Sequence, residues 1–289
     1  MKIAIYGNSY QEDYLNHLYD FLEALSRLGI KVEIESKFYN YLKQSLSDEI
    51  PADGVIIGND FQADMAISIG GDGTFLRTAR WVGNKQIPIL GINTGHLGYL
   101  ADVQISESET ILDDITTGNY KIEERSLIEV VSSNAELDNW PFALNEVAIL
   151  KQDTASMISI KTEINDVVLN TYIGDGLIIS TPTGSTGYNL SVGGPIIEPT
   201  APNWVISPIA AHSLTIRPLV VSNESVIKAT TTSRATNYRL SLDGRSITLP
   251  EGSSITLRKA PFSIKVAQRL KHHFTDTLRN KLLWGIDKR

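Results

Sequence analysis

The chain has 289 residues and a formal net charge of −7, with 42% hydrophobic and 20% charged residues. These are the proportions of a soluble globular protein, and the length predicts about two domains with a sizeable core. The acidic balance argues against a nucleic-acid binder, and the lack of cysteine excludes disulfides, cysteine-ligated zinc, iron–sulfur clusters and thiol catalysis.

The opening "MKIAIYGNSY" holds only a short apolar run before polar residues, unlike a signal peptide. No later run reaches the ~18 apolar residues of a membrane span. A cytoplasmic enzyme or binding protein without membrane contact is therefore expected. Lys2 to Asn8 reads as a buried strand. Leu15, Leu18, Leu22 and Leu25 recur at helical spacing and predict a helix within Glu12 to Leu28, stopped by Gly29. "KVEIES" alternates and reads as a second strand. After a less patterned region come a strand at Ile67-Ser68-Ile69, a helix from about Thr74, and a strand from Ile87 to Asn93. Strands alternating with helices predict an α/β domain over residues 1–120, with a mostly parallel, Rossmann-like sheet.

From Tyr120 to Ala260 the texture changes to short β-like runs such as "SLIEVV", "ISIKTEI", "GLIIST" and "YRLSL", separated by turn residues. An all-β domain is predicted over 121–262. Val266, Leu270, Phe274 and Leu278 recur every fourth residue, so 263–289 is read as a helix returning to the first domain. From Arg258 onward nine Lys/Arg face Asp276 and Asp287, so the last 32 residues carry +7 and the first 257 carry −14. A basic helix face packed on an acidic body accounts for this better than a polyanion site, because the apolar recurrence needs a partner surface.

Five stretches stand out as chemistry. "ISIGGDGTFLR" (Ile67–Arg77) places Asp72 among three glycines between a strand and a helix. Ligands of open α/β sheets bind beyond the carboxyl ends of strands, and a glycine turn there turns backbone N–H groups toward an anion. Phosphate repels an aspartate, so Asp72 would either hold a phosphate-bridging metal or accept a proton from an attacking hydroxyl. A plain helix cap is the structural alternative. The spacing matches neither a Walker loop nor the dinucleotide fingerprint. "GDGLIISTPTGSTGYNLSVGGP" (Gly174–Pro195) sets Asp175 before a buried strand and a loop rich in hydroxyls and glycine after it. Tyr188 in that loop could stack on a base or ribose. Asn145-Glu146 interrupts an apolar run and must find partners. "GINTGHLGYL" (Gly91–Leu100) is another glycine-broken loop, whose His96 reads as structural. Asp243-Gly244-Arg245 reads as a hairpin turn.

Taken together, "GGDGTFL", "GINTGHLGYL", "NEVAI", "GDGLIISTPTGSTGYNLSVGGPI", "AAHSLTIRPLVV" and "DGR" resemble the NAD kinase family, also called ATP-NAD or polyphosphate/ATP-NAD kinases. The match runs from Ile67 to about Asp243, and the closing residues resemble the family's C-terminal helix. GGDG alone is shared with lipid kinases and phosphofructokinases; the long hydroxyl-rich loop with Asn-Glu is more specific. The resemblance implies an α/β domain, a β-sandwich domain and a nucleotide site between them. It implies transfer of the ATP (or polyphosphate) γ-phosphoryl to the adenosine 2′-hydroxyl of NAD. The partners implied are NAD, the phosphate donor, a divalent metal (Mg2+ carried with ATP) and further copies of the chain in a dimer or tetramer.

By the same resemblance Asp72 matches the catalytic aspartate, with Gly73 beside the ligand and Arg77 near phosphate. Asn145 and Glu146 match the pair on the nicotinamide-side ribose, and Asp175 the aspartate near the adenine and nicotinamide. Thr186, Gly187, Tyr188, Asn189, Leu190 and Ser191 match the loop lining the adenine-ribose pocket. His212 and Arg245 are carried over as ligand-side residues. No residue is expected as a protein metal ligand. Departures are Gly187 where Ala is frequent, Ile173 where a basic residue is frequent, Arg245 where Gln is frequent, and Ala211 where Pro is frequent. Two other classes share parts of the pattern: a lipid or sugar kinase built on the same glycine turn, and a non-catalytic dinucleotide sensor. Asp72 argues against the sensor.

Overall fold

The computed structural model describes residues 1–9, 14–46, 49–95, 98–101, 103–132, 137, 139–152, 156–232, 235–270 and 273–282. The chain divides into two compact units, Met1–Glu124 with Ile264–Arg289, and Arg125–Ser263.

The first unit is α/β. Its strands are β1 (Lys2–Gly7), β2 (Lys31–Glu35), β3 (Gly54–Ile56), β4 (Met65–Ile69), β5 (Ile89–Asn93) and β6 (Val103–Gln104). Its helices are α1 (Leu15–Arg27), α2 (Ser36–Ser45), α3 (Asp72–Val82) and α4 (Ser108–Thr117). The strands run parallel in the order β3-β2-β1-β4-β5, with β6 beside β5. Ile5 pairs with Ile34 on one side and Ile67 on the other, and β4 and β5 are buried throughout, as sheets covered on both faces require. Strand order reverses at β1 and β4, so a ligand site is expected beyond their carboxyl ends. α1 buries Leu18, Phe21, Leu22 and Leu25, and Gly29 ends it at φ +69°. Fully burying each such side chain contributes about 1.5–3 kcal/mol.

Helices α2 and α4 are absent from the expectations read off the sequence. In α2 only Phe38 and Leu42 are buried, too short a stripe to stand out, and its cap is Glu35, whose carboxylate accepts the Phe38 N–H at 3.0 Å.

The second unit is a β-sandwich. It contains most of β7 (Tyr120–Ser132), then β8 (Phe142–Ala143), β9 (Glu146–Lys151), β10 (Ile158–Ile164), β11 (Val167–Gly174), β12 (Gly176–Ser180), the short helix α5 (Tyr188–Ser191), β13 (Asn203–Ile209), β14 (Leu219–Ser222), β15 (Ile227–Thr232), β16 (Asn237–Leu242), β17 (Arg245–Pro250) and the start of β18 (Ser254–Arg269). One antiparallel sheet runs β14-β13-β12-β9-β16-β17. The other runs β11-β10-β15-β18, joined by β7 and β8. Alternate residues of both sheets, among them Val147, Ile149, Ile160, Trp204, Ile206, Tyr238 and Leu240, form its core.

The expected helix over 263–289 is corrected. β18 continues to Arg269, pairing Val266 with Ile89, and among the described residues the helix α6 covers Phe274–Leu282. A four-residue recurrence is also a multiple of two, so Val266 and Leu270 suit a strand as well as a helix. Ile264, Val266 and Gln268 alternate inward on that strand. Its basic character is used locally: Arg269 pairs with Asp114 at 2.9 Å and Glu107 at 3.1 Å. No helix among the described residues is long and apolar enough to cross a membrane.

Candidate active site

In the first unit the backbone leaves β4 through Gly70 and Gly71, and α3 begins at Asp72. Asp72 does not cap its own helix. Its carboxylate crosses to the loop after β5 and accepts three consecutive backbone N–H groups. Oδ2 takes Tyr99 at 2.8 Å; Oδ1 takes Leu100 at 2.9 Å and Ala101 at 3.2 Å. Glycine at position 98 leaves the carboxylate its place, because a Cβ there would lie 1.9 Å from Asp72 Oδ1 and push it aside. Asn93 braces the same loop, donating from Nδ2 to the Ala101 carbonyl at 3.1 Å and accepting the Gly95 N–H at 2.7 Å. A carboxylate offers about four acceptor positions. Among the described residues three are taken, which leaves a fourth, on Oδ2.

Gly73 is exposed beside Asp72. Arg77, also exposed, donates to Thr74 Oγ1 at 3.1 Å and to the Tyr6 hydroxyl. Desolvation raises the Tyr6 pKa, and the Arg77 charge opposes it. Arg77, Lys37, Tyr6, Asn8, Ser9 and Glu35 line an open cleft of about 200 Å³ at the ends of β1 and β2. His96 lies outside the described residues.

In the second unit Asn145 sits in the bend that enters β9 and Glu146 is the first residue of that strand, so the apolar run places Glu146 in a strand but not Asn145. The bend is held from two sides. Thr181 N–H donates to the Asn145 carbonyl at 2.9 Å and Thr181 Oγ1 to the Leu144 carbonyl at 2.6 Å. Opposite, Asp243 accepts Leu144 N–H (2.7 Å), Asn145 N–H (2.7 Å) and Glu146 N–H (3.2 Å). Among the described residues, the buried atoms Asn145 Oδ1 and Glu146 Oε2 find no hydrogen-bond partner. Native interiors rarely leave such atoms unsatisfied, and a bound ligand would satisfy them. Glu146 is pushed up to about 7, first by desolvation, then by the Asp243 charge, against the Tyr188 N–H that donates to it. Desolvation also raises Asp243, opposed by its three amide donors and by Arg245.

The hydroxyl-rich loop forms a 3-10 turn, Thr183–Thr186, followed by α5. Its residues divide. Tyr188 and Ser191 are exposed and Thr186, Gly187 and Leu190 partly so, whereas Asn189 is fully buried. Asn189 donates to the carbonyls of Ser185 (3.2 Å) and Pro195 (3.1 Å) and accepts from Ser207 Oγ at 2.6 Å. Its expected donor capacity is thus spent on holding the loop together. At Gly187 a Cβ would meet Glu146 Oε2 at 3.1 Å and Asn145 Nδ2 at 3.6 Å, so the missing methyl leaves room beside the orphaned atoms.

Asp175 pairs with Lys151 at 2.7 Å and is itself partly exposed. His212 is exposed, and its N–H donates to the carbonyl of Ile173. Arg245 donates to the carbonyls of Trp140 (3.0 Å) and Phe142 (2.8 Å), which occupies part of its guanidinium with backbone. The sequence marked Asp243 only as a hairpin turn and Tyr99–Leu100 only as part of a glycine-broken loop, without the carboxylate–amide clamps in which they take part. Each acts through a loop far away along the chain, which spacing alone does not reveal.

Comparison with known proteins bears on both units. Residues 3–120 match the family model for the ATP-NAD kinase N-terminal domain, and residues 144–269 that for the ATP-NAD kinase C-terminal domain. An NAD kinase of Bacteroides fragilis is 49% identical over 289 residues, covering 100% of both chains. One of Porphyromonas gingivalis is 45% identical over 284 residues, covering 98% of each. The crystal structure of a yeast NADH kinase complexed with NADH superposes with TM-score 0.89 at 22% identity, covering 100% of this chain and 89% of that one, a likeness of fold. An NAD kinase from Archaeoglobus fulgidus in complex with ATP gives TM-score 0.74 at 25% identity, covering 98% and 97%. With a family model matched in each unit and relatives aligned end to end, the chain belongs to the ATP-NAD kinase family.

Proposed function

We infer that this protein transfers the γ-phosphoryl group of ATP to the adenosine 2′-hydroxyl of NAD, giving NADP and ADP. Family membership supports the reaction, and the orphaned acceptors Asn145 Oδ1 and Glu146 Oε2 carry the dinucleotide assignment. Two hydroxyls of a ribose would satisfy them. Phosphoryl transfer proceeds through a loose transition state, so positioning and charge neutralisation dominate. The ribose hydroxyl attacks phosphorus, the bond to the β-bridging oxygen breaks, and the hydroxyl proton passes late to the open position on Asp72 Oδ2. Arg77 would face phosphate, and Thr186, Gly187, Tyr188, Leu190 and Ser191 would line the adenine-ribose side. Asp175 and His212 would lie toward the nicotinamide half. Arg245 would act mainly through the backbone it holds.

Among the described residues no three His, Asp or Glu side chains converge as a metal cage. A divalent cation such as Mg2+ would be brought by the nucleotide phosphates, with Asp72 the carboxylate within the glycine turn itself. Such a cation neutralises charge on the β- and γ-phosphates. We also propose self-association: Val167, Val168, Leu169 and Ile173 of the edge strand β11 are exposed and apolar. A monomer mass by light scattering at micromolar concentration would overturn this.

Incubation with NAD, ATP and Mg2+ should yield NADP, detected by an NADP-specific dehydrogenase. Absence of NADP with either ATP or polyphosphate as donor would sink the reading. Tyr188 gives a narrower check. It is 39% exposed, so its ring is not a core side chain. Tyr188→Ala should weaken NAD binding about tenfold if the ring packs on the dinucleotide, with the melting temperature nearly unchanged. Calorimetric titration and a thermal melt on one preparation measure both. Unchanged affinity would remove Tyr188 from the site.

A further inference from the structure

We propose that Asp243 is a positioning residue for the dinucleotide: by clamping three consecutive amides it fixes the Leu144–Glu146 bend so that Asn145 Oδ1 and Glu146 Oε2 face the ligand. The proposal rests on the reading that Asn145 and Glu146 hold NAD. It adds a residue from a distant hairpin that never needs to touch the substrate.

The geometry is specific. Asp243 and Gly244 form the two-residue turn between β16 and β17, both with positive φ, +48° and +80°. That conformation suits Asp-Gly in a hairpin whose twist matches its strands. A hairpin turn alone needs no carboxylate facing inward. Here Oδ2 accepts Leu144 N–H at 2.7 Å, and Oδ1 accepts Asn145 N–H at 2.7 Å and Glu146 N–H at 3.2 Å. The hairpin is secured besides by Asp243 N–H donating to the Glu146 carbonyl at 3.1 Å, so both turn and bend are bonded in both directions. Three amides pointing at one buried carboxylate could not be satisfied by an apolar residue, and the bend would lose its shape. Asp72 holds Tyr99–Ala101 in the same way. The same device, one carboxylate on three successive N–H groups, thus occurs once in each unit.

Asp243 also adds to the rise in the Glu146 pKa, second to desolvation. The groups acting on the Glu146 carboxyl are Asp243, the Tyr188 N–H and its own desolvation; Arg245 acts on Asp243 from the same turn, and Ser180, paired with Glu146 from β12, is uncharged. Removing the Asp243 charge should let Glu146 ionise at lower pH.

The test is a pH profile of kcat/KM for NAD in wild type, Asp243→Asn, Asn145→Ala and Glu146→Gln. Asn tolerates the left-handed turn, so Asp243→Asn preserves backbone conformation while turning one acceptor into a donor against an N–H. We expect Asp243→Asn to raise KM for NAD about tenfold with kcat and KM for ATP little changed. Its inflection, near pH 7 in wild type, should move to lower pH. Glu146→Gln should abolish that inflection. If Asn145→Ala and Glu146→Gln leave KM for NAD unchanged, the assignment of the pair to NAD fails. If they raise it while a folded Asp243→Asn behaves as wild type, the positioning role fails. Should Asp243→Asn not fold, hydrogen exchange on the wild type decides. Leu144, Asn145 and Glu146 amides protected without NAD support a preformed clamp; amides that exchange freely until NAD binds overturn it.

Discussion

Asp72→Asn is expected to lower kcat for NADP formation by about two to four orders of magnitude, the range typical for loss of a positioned proton acceptor. Two effects contribute. The open position on Oδ2 disappears as an ionised acceptor for the ribose hydroxyl. In addition, one oxygen must become an NH2 group facing an amide N–H. If the NH2 replaces Oδ2 it opposes Tyr99; if it replaces Oδ1 it opposes Leu100 and Ala101. The first orientation sacrifices one hydrogen bond and the second two, so the first is favoured. The variant should therefore fold, with faster hydrogen exchange at the Tyr99 amide. Gly98→Ala separates the two effects. A Cβ there would lie 1.9 Å from Asp72 Oδ1, so it displaces the carboxylate without changing its chemistry. If displacement alone matters, Gly98→Ala should lose nearly as much activity as Asp72→Asn. A wild-type rate in Asp72→Asn would end the catalytic role and leave Asp72 as a loop anchor only.

What the sequence made legible follows the range over which each interaction acts. The α/β unit was readable because β4, β5 and α1 carry their own periodicity, and the sandwich because turn residues punctuate its strands. Helix α2 was missed because only Phe38 and Leu42 mark its buried face. The reading of 263–289 failed where two periods coincide: Val266 and Leu270 fit either template, and pairing with Ile89 decides for a strand. Among the candidate residues, Asp72 and Asn145-Glu146 were visible because polar residues interrupt apolar or glycine-rich runs. Asp243 was visible only as a turn, which it is. Its second role depends on reaching Leu144, 99 residues earlier, and local pattern holds no trace of that. Asn189 shows the converse: a residue suited to donate to a ligand that instead spends its amide on Ser185 and Pro195.

Glu146→Gln is expected to stabilise the unliganded protein above neutral pH while weakening its hold on NAD. The Glu146 carboxyl has an ordinary value of 4.5 and is pushed up to about 7 in the folded chain, by desolvation first and then by Asp243. Between those values the folded state binds more protons than the unfolded chain. Stability therefore falls as pH rises through that window, and the full cost is present above about pH 7. The difference corresponds to at most roughly 3 kcal/mol. Glutamine carries no charge and escapes this cost. It can still offer a carbonyl oxygen to the Tyr188 N–H. At pH 8 the variant should melt several degrees above wild type, at about 2–4 °C per kcal/mol for a chain of this order of size. At pH 4, where the wild-type side chain is protonated in the folded state and mostly so when unfolded, the two should melt together. NAD affinity should fall about tenfold, because a ligand hydroxyl loses its acceptor at Oε2. Thermal melts at both pH values and a calorimetric titration measure these outcomes. Parallel melting curves at every pH would show that Glu146 is not held against its own ionisation. A stabilised variant with full NAD affinity would mean that the buried carboxylate serves something other than the dinucleotide.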